Sequence, residues 1–170
     1  MLTALTLVTR GIRVLSAVGG WCAGILIMAT TALILTEIGY RVFLGRSTRL
    51  AEEYSGYFLA AMILVGAAYA LANGEHIRIM ILRERLSAEK QLWLDRFALA
   101  VGTAITGVLL WALFDLFYES LSYGVRSLHP SRTPMAVPHG AVLAGAALLF
   151  LQFLALLLET WLPKREQAEE

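Results

Sequence analysis

The sequence predicts an all-α integral membrane protein with four transmembrane helices and short interfacial helical segments. Of its 170 residues, 58% are hydrophobic and only 16% are charged, and the mean hydropathy is +0.68. Soluble domains carry roughly a quarter charged residues. Four charge-free stretches are long enough, with their flanks, to cross about 30 Å of hydrocarbon. None shows the two-residue alternation of a membrane β-barrel. We therefore expect helices, in which the backbone N–H and C=O groups are hydrogen-bonded within each segment.

The four spans occupy nearly the whole chain, so we expect one membrane domain covering residues 1–170. Their charge-free cores are 14–36, 54–74, 97–114 and 140–158, and they predict spans at about 14–42, 52–74, 90–122 and 137–161. The first fifteen residues predict a short amphipathic lead-in at the membrane surface. The first apolar core exceeds the roughly 7–15 residues of a cleaved signal peptide, which favours a permanent helix.

The third predicted helix has a clear start but is too long for one bilayer crossing. Ser87 is a suitable N-cap, and Glu89 in the first turn complements the positive end of the helix dipole. A helix from Ser87 to Ser122 would be about 54 Å long, so it must tilt or extend beyond the hydrocarbon. The preceding segment, residues 76–86 (HIRIMILRERL), mixes apolar and basic residues and predicts an interfacial segment.

The basic residues predict the orientation of the spans, because cytoplasmic flanks carry more Lys and Arg. One side of the membrane receives nine of them: Arg10, Arg13, Arg78, Arg83, Arg85, Lys90, Arg96, Lys164 and Arg165. The other side receives five: Arg41, Arg46, Arg49, Arg126 and Arg132. We therefore expect both termini in the cytoplasm and the first and third loops outside.

The second span opens with two acids, Glu52 and Glu53, and continues with a stripe of small residues. At 100° per residue, one helix face collects Gly56, Ala60, Ala67, Ala70 and Gly74. Small residues at such spacing let another helix approach closely in lipid. The acids have two interpretations that spacing alone leaves open. They complement the helix dipole among lipid headgroups, or they orient a helix–helix interface by pairing with Arg or backbone donors.

Further acids are predicted at the same outer level. Glu37 and Arg41 are one helical turn apart and can pair, and Asp115 and Glu119 are also one turn apart. These acids lie near span ends rather than at the midplane. We therefore predict a structural network with the outer arginines rather than an ion pathway through the membrane.

Several classes of function are excluded or disfavoured. The net charge of +1 gives no basic field for nucleic acid, and the single cysteine, Cys22, excludes an internal disulfide and a multi-cysteine metal site. His76 and His139 are predicted at opposite ends of the bundle, about 30 Å apart, so they cannot share a haem iron. No nucleophile–base pair, phosphate loop or carboxylate dyad is evident. The sequence therefore predicts neither an enzyme nor a cofactor on this chain.

Two stretches carry a resemblance to a known family. Residues 51–79 resemble the second helix of the small membrane subunit (DctQ-like) of tripartite ATP-independent periplasmic (TRAP) transporters. That likeness is carried by the acidic pair, by Gly66-Ala67-Ala68 and by the closing Gly74, His76 and Ile77. Residues 131–154 (SRTPMAVPHGAVLAGAALLFLQFL) resemble the family's entry into its fourth helix, with Ser131, Thr133, Pro134 and Pro138 in the expected order.

The resemblance implies a small subunit in a bacterial or archaeal inner membrane. Its partners would be membrane lipid, a large (DctM-like) membrane subunit with the substrate and sodium sites, and a periplasmic binding protein that delivers an organic acid. It implies these subunit-interface candidates: Glu52, Glu53, Gly56, Ala60, Ala67, Ala70, Gly74 and His76. The candidates for docking the binding protein are Arg46, Arg49, Arg126 and Arg132.

Two alternatives come from other classes. A membrane anchor of a redox complex would need a cofactor, which an absorbance spectrum of the purified protein would reveal. A self-sufficient small multidrug-type exporter would need an acid at the membrane midplane, and none of the four charge-free runs contains one.

Overall fold

The computed structural model describes residues 2–74 and 87–161, and these residues form four helices. The helices are α1 (Leu2–Leu44), α2 (Leu50–Ala72), α3 (Ala88–Ser122) and α4 (Ala136–Glu159). Each is long and apolar enough to cross a membrane. No strand is present in the described part of the chain, apart from an isolated bridge between Arg126 and Pro134. The all-α, four-span fold predicted from the sequence is confirmed.

Helix α1 is a single continuous helix of 43 residues. The predicted amphipathic lead-in is the first part of this helix and not a separate element, because no proline interrupts residues 2–44. Within the apolar segment, the hydroxyls of Thr30, Thr31 and Thr36 each donate to the carbonyl four residues earlier, at 2.7–2.9 Å. These bonds satisfy the hydroxyls without a partner helix. Gly45, with a φ of +62°, follows the end of α1.

Helix α2 ends two residues before Gly74. Asn73 is the C-cap, and its N–H donates to the carbonyl of Tyr69 at 3.1 Å. Gly74 follows with a φ of +71°, a conformation in which glycine is favoured after a helix. Gly74 therefore terminates α2 and is not part of its helical face, contrary to the prediction. His76 and the predicted interfacial segment 76–86 lie outside the described residues.

Helix α3 begins where the sequence predicted. Ser87 occupies the N-cap position with extended backbone, although its side chain makes no capping hydrogen bond. Helix α4 starts at Ala136 and carries Pro138 in its first turn, where a missing backbone N–H is tolerated.

Helix α4 is the centre of the bundle. It packs against α1, α2 and α3, and α2 also packs against α1, whereas α3 makes its main contact with α4. The core contains Ala68 and Leu71 of α2 and Leu149 of α4. Gly145 lets α4 approach α2 closely, because a Cβ atom there would lie 2.9 Å from Cβ of Leu64. Three helices thus form a compact group, and α3 flanks it.

The bundle has two chemically distinct ends. The loop end carries the α1–α2 loop (45–49) and the α3–α4 loop (123–135). The terminal end carries the start of α1 and the end of α4. There Arg13 pairs with Glu159 at 2.8 Å, and Arg96 donates to the carbonyl of Thr160 at 2.8 Å. The guanidinium of Arg96 also lies 4.5 Å from the ring centre of Trp161. Contacts of α1 with α4, and of α3 with the residues that follow α4, therefore fasten the terminal end.

Candidate functional site

The loop end contains two buried carboxylates, one for each loop. Glu37, near the end of α1, is 6% exposed, and Glu53, in the first turn of α2, is 4% exposed. A buried carboxylate is costly unless its oxygens accept hydrogen bonds. The partners of these two acids therefore show how each loop is held.

Glu37 holds the α1–α2 loop against α1. Its carboxylate accepts hydrogen bonds from Nε of Arg41 at 3.0 Å, from the hydroxyl of Ser47 at 2.5 Å and from the backbone N–H of Thr48 at 3.2 Å. The Thr48 hydroxyl is a further donor. The predicted Glu37–Arg41 pair is confirmed. Ser47 and Thr48 of the loop thus donate the hydrogen bonds that water would otherwise make to this carboxylate.

Arg41 extends this cluster to α2. Its guanidinium donates to the carboxylate of Glu52 at 3.2 Å and to the Ser47 hydroxyl at 3.3 Å. The side chain of Glu52 is 61% exposed, so this ion pair is solvated and contributes little to stability. Of the adjacent acids, Glu52 therefore faces outward and pairs with an arginine.

Glu53 holds the α3–α4 loop against α2. Its carboxylate accepts from the hydroxyl of Ser131 at 2.5 Å and from that of Tyr57 at 2.9 Å. Tyr57 also lies 3.3 Å from Sδ of Met135. Its single proton goes to the carboxylate, which is the stronger acceptor. No ion pair joins Glu53 to an arginine in the described part of the chain. Hydroxyl donors supply the pairing, whereas one of the two interpretations left open by the sequence named Arg or backbone donors.

A second layer of hydrogen bonds supports the contact between Glu53 and the loop. The hydroxyls of Tyr54 and Thr133 lie 2.9 Å apart, and those of Ser131 and Thr133 lie 3.0 Å apart. The loop also bonds to itself, through Ser127 N–H to the Thr133 carbonyl at 2.9 Å. Ser131 and Thr133 entered the sequence analysis only through the resemblance. Spacing along the chain gave no signal that they meet the second helix.

The last turn of α3 and the first turn of α4 are joined next to this loop. Oγ of Ser120, which is 3% exposed, lies 2.7 Å from Nδ1 of His139. The Ser120 hydroxyl also lies 2.8 Å from the carbonyl of Leu116. His139 is thus a structural link between two helices.

The four candidate docking arginines are all exposed at the loop end. Among the described residues, no ion pair involves Arg46, Arg49, Arg126 or Arg132. The predicted arginine–acid network therefore forms only around Glu37 and Glu52. Arg49 and Arg132 have positive φ values of 58° and 48°, which non-glycine residues rarely adopt. The backbone N–H of Arg49 donates to the Ser47 hydroxyl at 3.2 Å, and that of Arg132 donates to the His129 carbonyl at 3.0 Å.

The predicted small-residue stripe of α2 faces away from the bundle at Gly56 and Ala60, whereas Ala67 packs against the core. Gly56 and Ala60 are exposed, and Ala67 and Ala70 are half-buried. A Cβ atom built on Gly56 would have no other atom within 4 Å. The inward face of α2 consists of its neighbours Ala61, Ala68 and Leu71, which are buried. The close helix approach expected for this stripe therefore does not occur within the described chain.

The arrangement is suited to holding loops in place. In residues 2–74 and 87–161, no group of three His, Cys, Asp or Glu side chains is placed to hold a metal ion. A shallow surface depression beside the first loop is lined by Tyr40, Leu44, Arg46, Ser47 and Thr48. It is open, and two of its residues, Ser47 and Thr48, already bond to Glu37.

Comparison with known proteins gives one match. The family model described as "Tripartite ATP-independent periplasmic transporters, DctQ component" matches residues 30–162. This range contains the last part of α1, the whole of the other three helices, and both loops with the carboxylates that hold them. No curated protein and no solved structure matches the chain.

Proposed function

Because the chain belongs to the DctQ component family of tripartite ATP-independent periplasmic transporters, we propose that it is the small subunit that scaffolds a large transport subunit. The family is a non-catalytic transporter component, and the chain has four helices suited to a multi-pass membrane protein. The family match gives no support to a redox-complex anchor. We further propose that the small subunit helps to dock the periplasmic binding protein.

The observation that carries the scaffold role is the fixed geometry of the loop end. Both loops are fastened by buried carboxylates to helices of the same chain, Glu37 to the first loop and Glu53 to the second. A surface held in this way is preorganised for a partner, so binding costs little conformational entropy. The exposed residues of the α2 stripe, Gly56 and Ala60, support close packing of the large subunit against α2.

The docking role is proposed for the four exposed arginines of the loop end. In the orientation expected from the basic residues, this end is periplasmic and both termini are cytoplasmic in an inner membrane. Cations without an acidic partner among the described residues are suited to an acidic patch on the binding protein. Glu52, exposed beside Arg41, adds a polar contact for the large subunit.

The cargo we propose is an organic acid. Its binding site and the sodium sites would lie on the DctM-like large subunit, and this chain would carry no cofactor. The small subunit would then act through assembly and docking, so its substitutions should change complex yield or binding-protein dependence rather than substrate selectivity.

Co-purification with the large subunit tests the scaffold role. Tagged small subunit should retain the large subunit in detergent, and Gly56→Leu or Ala60→Leu should reduce the amount retained because they fill the stripe. Ala32→Leu, at an exposed position of α1, is the matched control and should have no effect. Purification of the chain alone, together with uptake that persists in its absence, would overturn the scaffold role.

Charge reversal tests the docking role. Arg46→Glu and Arg132→Glu should raise the binding-protein concentration needed for half-maximal uptake in proteoliposomes, with subunit yield unchanged, because rim charges act mainly on association. Arg132→Lys keeps the charge on the same backbone and should behave as the unsubstituted protein. Arg10→Glu reverses a charge near the terminal end and should also leave this binding-protein concentration unchanged. Uptake indifferent to both loop-end reversals would remove these arginines from the docking surface.

A further inference from the structure

Helix α3 presents an exposed stripe from Phe97 to its end at Ser122. Its members are spaced alternately four and three residues apart, and all are exposed: Phe97, Val101, Ala104, Val108, Trp111, Asp115, Tyr118 and Ser122. We call this set the outer stripe of α3. Trp111 is 75% exposed and Val108 is 65% exposed. Alternating four- and three-residue spacing is typical of helices that pack side by side at a small crossing angle.

The opposite face of α3 is already used within the chain. A Cβ atom on Gly102 would lie 2.4 Å from the ring of Phe153 in α4, and one on Gly107 would lie 3.3 Å from the ring of Phe150. Thr106 and Ser120 on this face are buried. The outer stripe is therefore the side of α3 that is turned away from the rest of the molecule.

The level of Asp115 along the bundle follows from its neighbours in α4. Ser120 is level with His139, and Gly107 is level with Phe150. Asp115 lies between these levels and therefore beside the charge-free stretch 140–158 of α4. It is exposed, and no hydrogen bond or ion pair within the described residues involves it. Asp115 directly follows the charge-free core 97–114 of α3, and a carboxylate at this edge of the apolar segment is more favourable beside a cation of a protein partner than beside lipid tails.

The exposed side of α1 offers a comparison within the same chain. It carries large apolar residues at the same spacing: Val14, Val18, Trp21, Ile25, Met28 and Leu35. No ionisable residue occurs among them. Exposure and apolar character are shared by α1 and α3, and the acid distinguishes them.

A second copy of this chain does not supply the complement. In a two-fold dimer about the membrane normal, each residue meets its own level in the partner, so Asp115 and Glu119 would face like charges. The basic residues of α3, Lys90 and Arg96, lie at its other end, Arg96 about 28 Å from Asp115 along the helix axis. A transmembrane helix of a different membrane protein can carry a cation at the level of Asp115, which α3 of a second copy does not.

We propose that the outer stripe of α3 binds a transmembrane helix of the large subunit, and that a Lys or Arg of that helix pairs with Asp115. This inference rests on the proposed function and adds a second contact to the one proposed for the stripe of α2. It assigns Trp111 and Tyr118 to the same interface, one turn on either side of the acid.

Site-specific crosslinking tests the location. A photoreactive residue is placed at Val108 or Tyr118 on α3 in a chain that is co-expressed with the large subunit. The matched controls carry it at Val18 or Ile25 on α1. The α3 positions should give a crosslink to the large subunit identified by mass spectrometry, and the α1 positions should not. Crosslinks from α1 alone, or a dimer of the small subunit from the α3 positions, would overturn the inference.

Charge exchange tests the pairing. Asp115→Lys should reduce the large subunit that co-purifies by about tenfold, because it places like charges opposite each other in a desolvated interface. Glu89→Lys, the same change at the far end of α3, is the control and should be silent. A Lys/Arg→Asp change in the crosslinked helix should restore recovery with Asp115→Lys. Unchanged recovery of the large subunit would overturn the pairing alone, whereas failure of the unsubstituted chain to retain it would overturn the proposed function as well.

Discussion

The acids at the start of α2 and those near the end of α3 look alike in the sequence but have opposite surroundings in the structure. Glu53 is buried and accepts hydrogen bonds from Ser131 and Tyr57. Asp115 and Glu119 are exposed and have no partner in the described chain. Each pair lies near the loop end, at the end of an apolar run.

The difference comes from where each helix lies in the bundle. Helix α2 has α1 and α4 as neighbours, and the α3–α4 loop covers its first turn, so an acid there is surrounded by donors of its own chain. Helix α3 flanks α4, and an acid on its outer stripe has no such cover. Glu53 on α2 therefore stabilises the subunit, whereas Asp115 on α3 remains available to a partner.

The largest effect is expected from Glu53→Ala. The substitution removes the acceptor for the Ser131 and Tyr57 hydroxyls and detaches the α3–α4 loop from α2. The unfolding midpoint of the isolated subunit in detergent should fall by roughly 5–10 °C. Glu53→Gln, which keeps one carbonyl acceptor, should lose less. A midpoint unchanged by either variant would contradict the role of Glu53 in holding the loop.

Glu37→Ala should have a similar but smaller effect, of about 4–8 °C, because its loop is short and begins at the end of the same helix. Glu37 and Glu53 share no hydrogen-bond partner. The two substitutions combined should therefore be nearly additive. Strong coupling in the double variant would show that the two loops are held as one unit.

Ser131→Ala tests the long-range bond to Glu53 from the loop side. It should lower the unfolding midpoint by about 3–5 °C, since it removes one charge-assisted hydrogen bond. In the Glu53→Ala background the same change should cost much less, because its acceptor is already gone. An equal fall in the midpoint in both backgrounds would mean that Ser131 acts through Thr133 and the loop and not through Glu53.

Glu52→Ala should change the midpoint by less than about 2 °C, because its pair with Arg41 is exposed and screened. The comparison with Glu53→Ala is closely matched, since the residues are adjacent and of one type. Addition of salt should mimic the Glu52 substitution and leave the effect of Glu53→Ala intact. A loss as large as that of Glu53→Ala would mean that Glu52 is held more tightly than its exposure indicates.

Sequence reasoning predicted the features that depend on local spacing. The four spans follow from hydropathy, and the Glu37–Arg41 pair follows from the one-turn separation on a single helix. The partner of Glu53 could not be predicted from spacing, because Ser131 is 78 residues away and reaches α2 only through the packing of α4. Hydroxyls, rather than arginines, satisfy this acid.

The small-residue stripe of α2 shows a second limit of the sequence. Small residues occur on more than one face of this helix, and the stripe marked by Gly56 and Ala60 is the outward one. The inward contact places Leu64 and Val65 against Gly145 of α4 and Tyr69 against Gly20 of α1, where the absence of a Cβ atom on each glycine allows close approach. Which face turns inward depends on the neighbouring helices and not on residue size.

Asp115→Asn should have the smallest effect on the isolated subunit, and it provides the most direct test when it is paired with Glu53→Gln. Both variants are measured twice, alone and in complex with the large subunit, by unfolding midpoint and by recovery of the large subunit on the tagged chain. We predict that Glu53→Gln lowers the midpoint in both states, whereas Asp115→Asn leaves the isolated chain unchanged and lowers only the recovery of the large subunit. If Asp115→Asn lowered the unfolding midpoint of the isolated chain and left recovery of the large subunit unaffected, the result would contradict the account.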